Sequence, residues 1–172
     1  FSKFKRIVRD LAVDCGKQIR LELEGGETEL DRTLLAAIRD PLTHIVRNSV
    51  DHGIETPDQR IKAGKPEEGV LLLRASHQSG QVIIEAIDDG GGISVDRVRE
   101  TVISKGLLTP QEAMDKSDSA ILQYIFAPGF STASQVSALS GRGVGMDVVR
   151  SHIQKIGGSV DLISELHQGT TI

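Results

Sequence analysis

DPLTHIVRNSVDHG, Asp40 to Gly53, places His44, Asn48, Asp51 and His52 at positions i, i+4, i+7 and i+8, so one helical stripe carries a carboxamide, a carboxylate and two imidazoles. Asp40 suits an N-cap, Pro41 the first helical turn and Gly53 a left-handed stop, which predicts a helix over 40–53. Leu42, Ile45, Val46, Ser49 and Val50 form a neighbouring apolar and small stripe that can bury this helix against a sheet. The polar stripe is then either a solvated face or the wall of a cleft.

Working outward, a short helix is expected from Asp31 to Arg39, and Thr56 with Pro57 caps a short turn that stops near Gly64. Residues 53–69 read as a polar surface connection. Upstream, Phe4, Ile7, Val8, Leu11 and Ala12 recur with helical spacing, and Gln18 to Glu24 alternates as a half-buried strand does. Downstream, Val70–His77 and Gln81–Asp88 are β-rich runs joined through Gln78, Ser79 and Gly80, a hairpin pattern whose second strand runs straight into DDGGG. Ser94–Ser104 and Asp118–Phe126 read as helical, and Ala127–Ser140, small and polar, as a mobile loop. GRGVGMDVVRSHIQKIGG opens on glycines and continues as a helix with Val144, Val148, Ile153 and Ile156 inward, ending at Gly157. Ser159–Ser164 and Thr170–Ile172 complete the pattern as a strand pair.

The bulk composition narrows the functional classes. A chain of 172 residues is long enough for a real core and has the size of one domain. Its 20 Lys and Arg against 24 Asp and Glu give a formal net charge of −4 with no basic tract, and aromatic residues are only 3%, so neither a duplex-binding surface nor a base-stacking platform is expected. Nucleic acid is therefore not an expected partner. The single cysteine, Cys15, rules out an internal disulfide and a cysteine zinc cluster; it reads as an inert helix residue in a reducing compartment. No run approaches the ~20 apolar residues of a membrane span, and FSKFKRIVRD lacks a signal-peptide core, so a cytoplasmic protein without direct membrane insertion is expected. The sequence stops at GTTI within a strand pattern, from which an excised domain of a larger protein is expected.

Two glycine clusters bear on chemistry. Gly90, Gly91 and Gly92 follow a strand that ends in Asp88 and Asp89; they form either a plain glycine-rich turn or one that lets backbone approach a flat ligand, with a carboxylate placed to accept from an exocyclic amine. Gly141, Gly143 and Gly145 open a helix, where unpaired N–H groups and the helix dipole favour phosphate. Met146 stands where a dinucleotide fingerprint needs its third glycine, which disfavours hydride transfer, and no GxxxxGK[ST] frame is present. The five histidines lack zinc-site spacing, and His77, His152 and His167 read as ordinary surface or strand residues. Asn48 offers one neutral oxygen, which suits Mg²⁺, an ion that keeps most of its waters and takes other ligands from phosphates.

These elements in this order resemble the nucleotide-binding superfamily that joins gyrase, the heat-shock chaperone, histidine kinases and the mismatch-repair ATPase. More narrowly, HIVRNSVDHGIE (His44–Glu55), DDGGGI (Asp88–Ile93), FAPGFST (Phe126–Thr132) and GRGVGMDVV (Gly141–Val149) resemble the N, G1, F and G2 boxes of the chemotaxis histidine kinase (CheA) family. The resemblance covers nearly the whole chain and implies an ATP-binding catalytic domain with the Bergerat fold: an α/β two-layer sandwich with a mixed, largely antiparallel sheet covered on one face by helices. It implies that Asn48 ligands Mg²⁺, that Asp88 receives the adenine amino group, that Gly90 and Gly92 floor the adenine pocket, and that Ile93 is also nucleotide-binding. It further implies that Gly141, Gly143, Val144, Gly145 and Met146 wrap the phosphates, that residues 126–140, with Ser131 and Thr132, form an ATP lid, and that Asp51 and His52 complete the cleft.

Gyrase-like members carry a water-activating glutamate four residues before the asparagine, where this chain has His44. A neutral imidazole there can orient the γ-phosphate or take a proton, so His44 is the expected catalytic residue. The resemblance implies transfer of the γ-phosphoryl of Mg-ATP to a histidine on a separate phosphotransfer domain, within a homodimeric parent protein that works with a coupling adaptor, chemoreceptors and response regulators; the isolated domain is expected to be monomeric. Two other functions share the same features: a gyrase-like ATPase, which hydrolyses ATP steadily without an acceptor, and a non-catalytic nucleotide-binding regulatory module, which binds and transfers nothing.

Overall fold

A computed structural model describes residues 2–130 and 145–172. They cluster into two compact units, one comprising the chain up to Ile93 together with 164–172, the other residues 94–163.

In the first unit, helix α1 (Ser2–Cys15) buries Phe4, Val8, Leu11 and Ala12, the row its spacing predicts. Gly16, at φ +66°, ends it with backbone bonds from Gly16 and Lys17 back to Val13 and Ala12. Strand β1 (Ile19–Glu24) pairs in parallel with β2 (Gly69–Gln78), which pairs antiparallel with β3 (Gln81–Asp88) through a two-residue turn, Ser79 and Gly80, both at positive φ. β3 pairs antiparallel with β5 (Gly169–Thr171), and β4 (Ile163–Glu165) completes a five-stranded mixed sheet of order β1-β2-β3-β5-β4. On β2, Leu71, Leu73 and Ala75 are buried while Val70, Leu72 and Arg74 are half-buried. Strand alternation therefore gives this sheet one core face, as a two-layer α/β arrangement requires.

The register fixes the burial of Asp88. Ile84, Ala86 and Asp88 of β3 lie opposite Ala75, Leu73 and Leu71 of β2. Directly opposed residues share a face, so the last residue of β3 projects a carboxylate into an apolar row.

The helix that decides the fold differs in its boundaries from the expectation. The segments expected as two helices, 31–39 and 40–53, form one, α2 (Arg32–Asn48), with Pro41 inside it. Its N-cap is Asp31, whose side chain accepts from the Thr33 N–H at 3.2 Å, and Asp40 lies exposed on the helix surface. Beyond Asn48 the chain widens into a π-helical turn, Ser49–Gly53, closed by the Ile54 N–H on the Ser49 carbonyl at 2.8 Å. Gly53 is not left-handed; it sits in a close approach described below.

Residues 53–69 are also more than a surface connection. Helix α3 (Pro57–Lys62) has a capping box in which Thr56 accepts from the Gln59 N–H and the Gln59 side chain accepts from the Thr56 N–H. Gly64, at φ +77°, closes its other end, and the Lys65 N–H reaches the Arg60 carbonyl at 2.8 Å. One side chain of this short helix, Arg60, is only 1% exposed.

In the second unit, α4 (Val95–Ser104), α5 (Pro110–Asp115) and α6 (Asp118–Leu122) begin on hydroxyl caps from Ser94, Thr109 and Ser117. The expected helix over 118–126 tightens into a 3₁₀ turn at Gln123–Phe126, and α5 lies in a stretch left unassigned from sequence. Arg99 of α4 donates to the carbonyls of Ala113 and Lys116 and to the Asp118 carboxylate, tying the three helices. Helix α7 (Met146–Lys155) buries Met146 and Val149, whereas Ile156, expected inward, is 42% exposed; the inward stripe is rotated by one position from the predicted one, and Gly157 ends the helix at φ +81°. Of the final strand pair, β4 is shorter than expected, since Ser159 to Leu162 approach it without ladder pairing, and β5 begins one residue earlier.

Candidate functional site

Within the first unit, the end of α2, the π turn and the glycine turn after β3 converge. Asp88 is 5% exposed, and its carboxylate accepts from the Gly90 N–H at 2.9 Å, from the Thr170 backbone and from the Ser49 hydroxyl. Burial raises its pKa above the usual carboxylate value, against the lowering effect of those donors. The group is thus a pre-oriented acceptor on the apolar face, tied to α2 through Ser49, the residue after Asn48.

Two glycines allow this convergence. A Cβ on Gly90 would lie 2.1 Å from the Gly53 carbonyl oxygen, and one on Gly53 would lie 3.1 Å from the Asp88 carboxylate. In the space so freed, the Gly91 N–H donates to the Gly53 carbonyl at 3.0 Å, joining the π turn directly to the glycine turn. Gly92, at φ +71°, passes against the Glu165 carbonyl, and the Ile93 N–H donates to the Ser164 hydroxyl at 2.8 Å, which docks the end of the turn on β4.

The π turn is held from below. Lys17 donates from Nζ to the carbonyls of Val50 and Asp51, both at 2.7 Å, placing a cation where helix carbonyls lack partners. Asp51 meets the Cys15 thiol at 3.7 Å and His52 Nε2 at 3.4 Å; the His52 ring is mostly exposed, so it stands at the rim. Burial and the Asp51 charge push the Cys15 thiol pKa up, in line with its reading as an inert residue.

His44 lies one turn before Asn48 and is half-buried. Burial, and then the Arg47 charge, lower its pKa below 6.5, so at neutral pH it is an uncharged imidazole. Because its folded pKa is depressed, its contribution to stability is present above pH 6.5 and is lost as pH falls through the folded value. An NMR titration of the ring proton on Cε1 is expected to give a midpoint below that of a free histidine; a midpoint at or above 6.5 contradicts the buried neutral ring.

Of the other expected site residues, Gly145 and Met146 stand at the start of α7 in the second unit, Gly145 as its extended N-cap and Met146 buried in its first turn. Ser131, Thr132, Gly141, Gly143 and Val144 lie outside the described residues. Of the expected lid, residues 126–130 are described: Phe126 is 2% exposed, and Phe130 offers its carbonyl to Lys105 Nζ and its ring to the same cation. Among the described residues no cluster of three or more His, Cys, Asp or Glu side chains could cage a metal. None of their helices is long and apolar enough to cross a membrane.

Sequence reading missed the ionic cluster beneath the glycine turn. Arg60 grips the Asp89 carboxylate with both guanidinium arms (3.2 and 3.0 Å) and reaches Glu55 at 3.1 Å and the Pro66 carbonyl at 2.7 Å. Lys65 adds a 2.9 Å contact to Glu55. The signal was present in the capping box at Thr56 and the glycine stop at Gly64, which together announce a short, firmly ended helix.

Comparison with known proteins gives the family. The model of the family described as histidine kinase-, DNA gyrase B-, and HSP90-like ATPase matches residues 37–172. The chain is 51% identical over 172 residues to the chemotaxis protein CheA of Salmonella typhimurium, covering 100% of this chain and 25% of that protein. It is 48% identical over 170 residues to the chemotaxis protein CheA of Treponema pallidum (99% and 21%) and 47% identical over 171 residues to the sensor histidine kinase CheAY of Helicobacter pylori (99% and 21%). The chain thus spans a quarter or less of the length of these relatives. The histidine kinase domain of the blue-light activated kinase EL346 from Erythrobacter litoralis superposes with a TM-score of 0.53 over 97% of this chain and 55% of that one; at 16% identity this likeness concerns the fold alone. Because the family model spans well over half of the residues and takes in both the Asn48 helix and the Asp88 strand end, the chain belongs to the histidine kinase-, DNA gyrase B- and HSP90-like ATPase family.

Proposed function

We propose that this chain is the ATP-binding catalytic domain of a chemotaxis-type histidine kinase, passing the γ-phosphoryl of Mg-ATP to a histidine on a phosphotransfer domain of its parent protein. The observation that carries the reading is Asp88, a buried carboxylate held in one orientation by three donors at the end of a core strand. Such an acceptor matches the exocyclic amine of adenine and opposes the carbonyl of guanine. The similarity to chemotaxis kinases along the whole chain supports the same conclusion.

The roles follow from the chemistry of each group. Gly90, Gly92 and Ile93 line the purine end. Gly145 and Met146, with Gly141, Gly143 and Val144, are assigned to the phosphates, Ser131 and Thr132 to the lid, and Asp51 and His52 to the rim of the cleft. Asn48 is the metal-binding residue of this reading: with no carboxylate cage among the described residues, a single amide oxygen fits Mg²⁺, which would complete its shell from phosphate and water and neutralise phosphate charge. In the transfer, the bond from the γ-phosphorus to the β–γ bridging oxygen breaks, a bond to the acceptor imidazole nitrogen forms, and ADP leaves with the electron pair. Such a step needs positioning and charge neutralisation rather than covalent participation by the enzyme. His44, uncharged and without a carboxylate's pull on water, is suited to orient the γ-phosphate or accept a proton, and it does not favour hydrolysis. A coupling adaptor, chemoreceptors and response regulators are the partners proposed for the parent protein, a cytoplasmic homodimer.

Incubation of the chain with a separately prepared histidine-phosphotransfer domain and ATP labelled in the γ-phosphate is expected to leave acid-labile label on the acceptor domain. Steady phosphate release without any acceptor would assign the chain to gyrase-like ATPases instead. Tight ATP binding with no transfer would make it a nucleotide-sensing module.

A further inference from the structure

Each peptide plane carries its C=O and N–H on opposite sides, so a group that holds the carbonyl also aims the amide. In the glycine turn, the two planes after Asp89 are held in this way by one side chain. Lys65 Nζ donates to the Asp89 carbonyl at 3.0 Å and to the Gly90 carbonyl at 2.8 Å. The amides of the same two planes point the other way: the Gly90 N–H donates to the Asp88 carboxylate and the Gly91 N–H to the Gly53 carbonyl.

Lys65 is itself fixed. Its side chain is 18% exposed, its third donor goes to Glu55 at 2.9 Å, and its backbone is set by the left-handed Gly64 at the end of α3. Arg60, from the same helix, adds a bond to the Asp89 carbonyl at 3.2 Å. The two cations and the carboxylates of Glu55 and Asp89 form a neutral set, so the lysine is spent neither on solvent nor on an exposed partner.

We propose that Lys65 is a positioning residue for purine recognition, orienting the Asp89–Gly90 and Gly90–Gly91 peptide planes so that the Asp88 carboxylate is presented to its ligand in a single direction. The inference rests on the assignment of Asp88 to the adenine amine. Lys65 does not touch the nucleotide in this scheme; it acts through the backbone it holds. Its loss is therefore felt by a ligand that uses the Asp88 hydrogen bond and not by one, such as GTP, that has a carbonyl in place of the 6-amino group.

The experiment compares ATP and GTP binding by calorimetry in the unsubstituted chain, in Lys65→Met and in Lys65→Gln, with circular dichroism melting of each. Lys65→Met is expected to weaken ATP about tenfold while leaving GTP within about twofold, so the preference for ATP shrinks. Lys65→Gln, which keeps a donor but no charge, is expected to fall between. A purely structural lysine predicts that both nucleotides weaken by the same factor, and that result, or an unchanged preference for ATP, overturns the proposal. Failure of both variants to fold assigns the cluster to stability alone and equally overturns it. If the unsubstituted chain does not prefer ATP to GTP, the Asp88 assignment fails first and takes this inference with it.

Discussion

Asp88→Asn lowers ATP affinity by a factor of about 10 to 150, the equivalent of 1.5–3 kcal/mol for a charge-assisted hydrogen bond lost in a buried place. The carboxylate accepts from Gly90, Thr170 and Ser49, all of which are donors. An asparagine retains one acceptor oxygen and turns an NH₂ group toward that ring of donors, so either the side chain rotates away from the ligand or one backbone amide loses its partner. The measurement is calorimetric titration with ATP on protein whose folding is confirmed by circular dichroism. Affinity unchanged within a factor of about two would remove Asp88 from the site.

The same residue yields opposite pH dependences for folding and binding. Burial raises its pKa above the unfolded value near 3.8, so the folded chain takes up this proton more readily than the unfolded one. The associated stability is full below the unfolded pKa and is lost as pH rises through the folded one. Binding moves the other way, since the amine of the ligand needs the ionised acceptor and affinity falls as pH drops through the raised value. Asp88→Asn removes this carboxylate's share of both dependences together.

How far the sequence discloses such a site depends on the range of the interactions that build it. The hairpin of β2 and β3 was legible because Ser79-Gly80 meets a local turn requirement and because alternation sets Ile84, Ala86 and Asp88 on one face. The union of the two predicted helices across Pro41 was not, since Asp40-Pro41 has the local form of a helix start and only the surrounding fold places that proline, buried, within a longer helix. Nor does any residue pattern announce the π turn at Ser49–Gly53, whose carbonyls depend on Lys17 from more than 30 residues away. Gly53 and Gly90 read as glycines of a stop and a turn, whereas the structure adds contacts between segments distant in sequence: a Cβ on Gly90 would run into the Gly53 carbonyl, and one on Gly53 would press on the Asp88 carboxylate.

Arg60 is the extreme case of a residue whose role lies in its distant partners, and its removal carries a large expected stability effect. Arg60→Met leaves Asp89 without its bidentate partner, Glu55 with Lys65 as its remaining cation, the Pro66 carbonyl without the guanidinium and the Asp89 carbonyl with Lys65 in place of two donors. Breaking a buried pair on one side costs about 3–5 kcal/mol, and the lower end applies because the Asp89 side chain is 43% exposed and recovers some hydration. Domains of this size are stable by roughly 5–15 kcal/mol, so a loss of about 3 kcal/mol removes a large share and lowers the urea midpoint by about 1 M or more at constant slope. Arg20 provides the internal control. It also pairs with two carboxylates, Glu22 and Glu68, but all three side chains are 45–56% exposed, so Arg20→Met is expected to leave the urea midpoint essentially where it is. Equal shifts for the two variants would mean that the Arg60 cluster is as well hydrated as the surface pair, and the argument that it holds the glycine turn in place would then have no energetic basis.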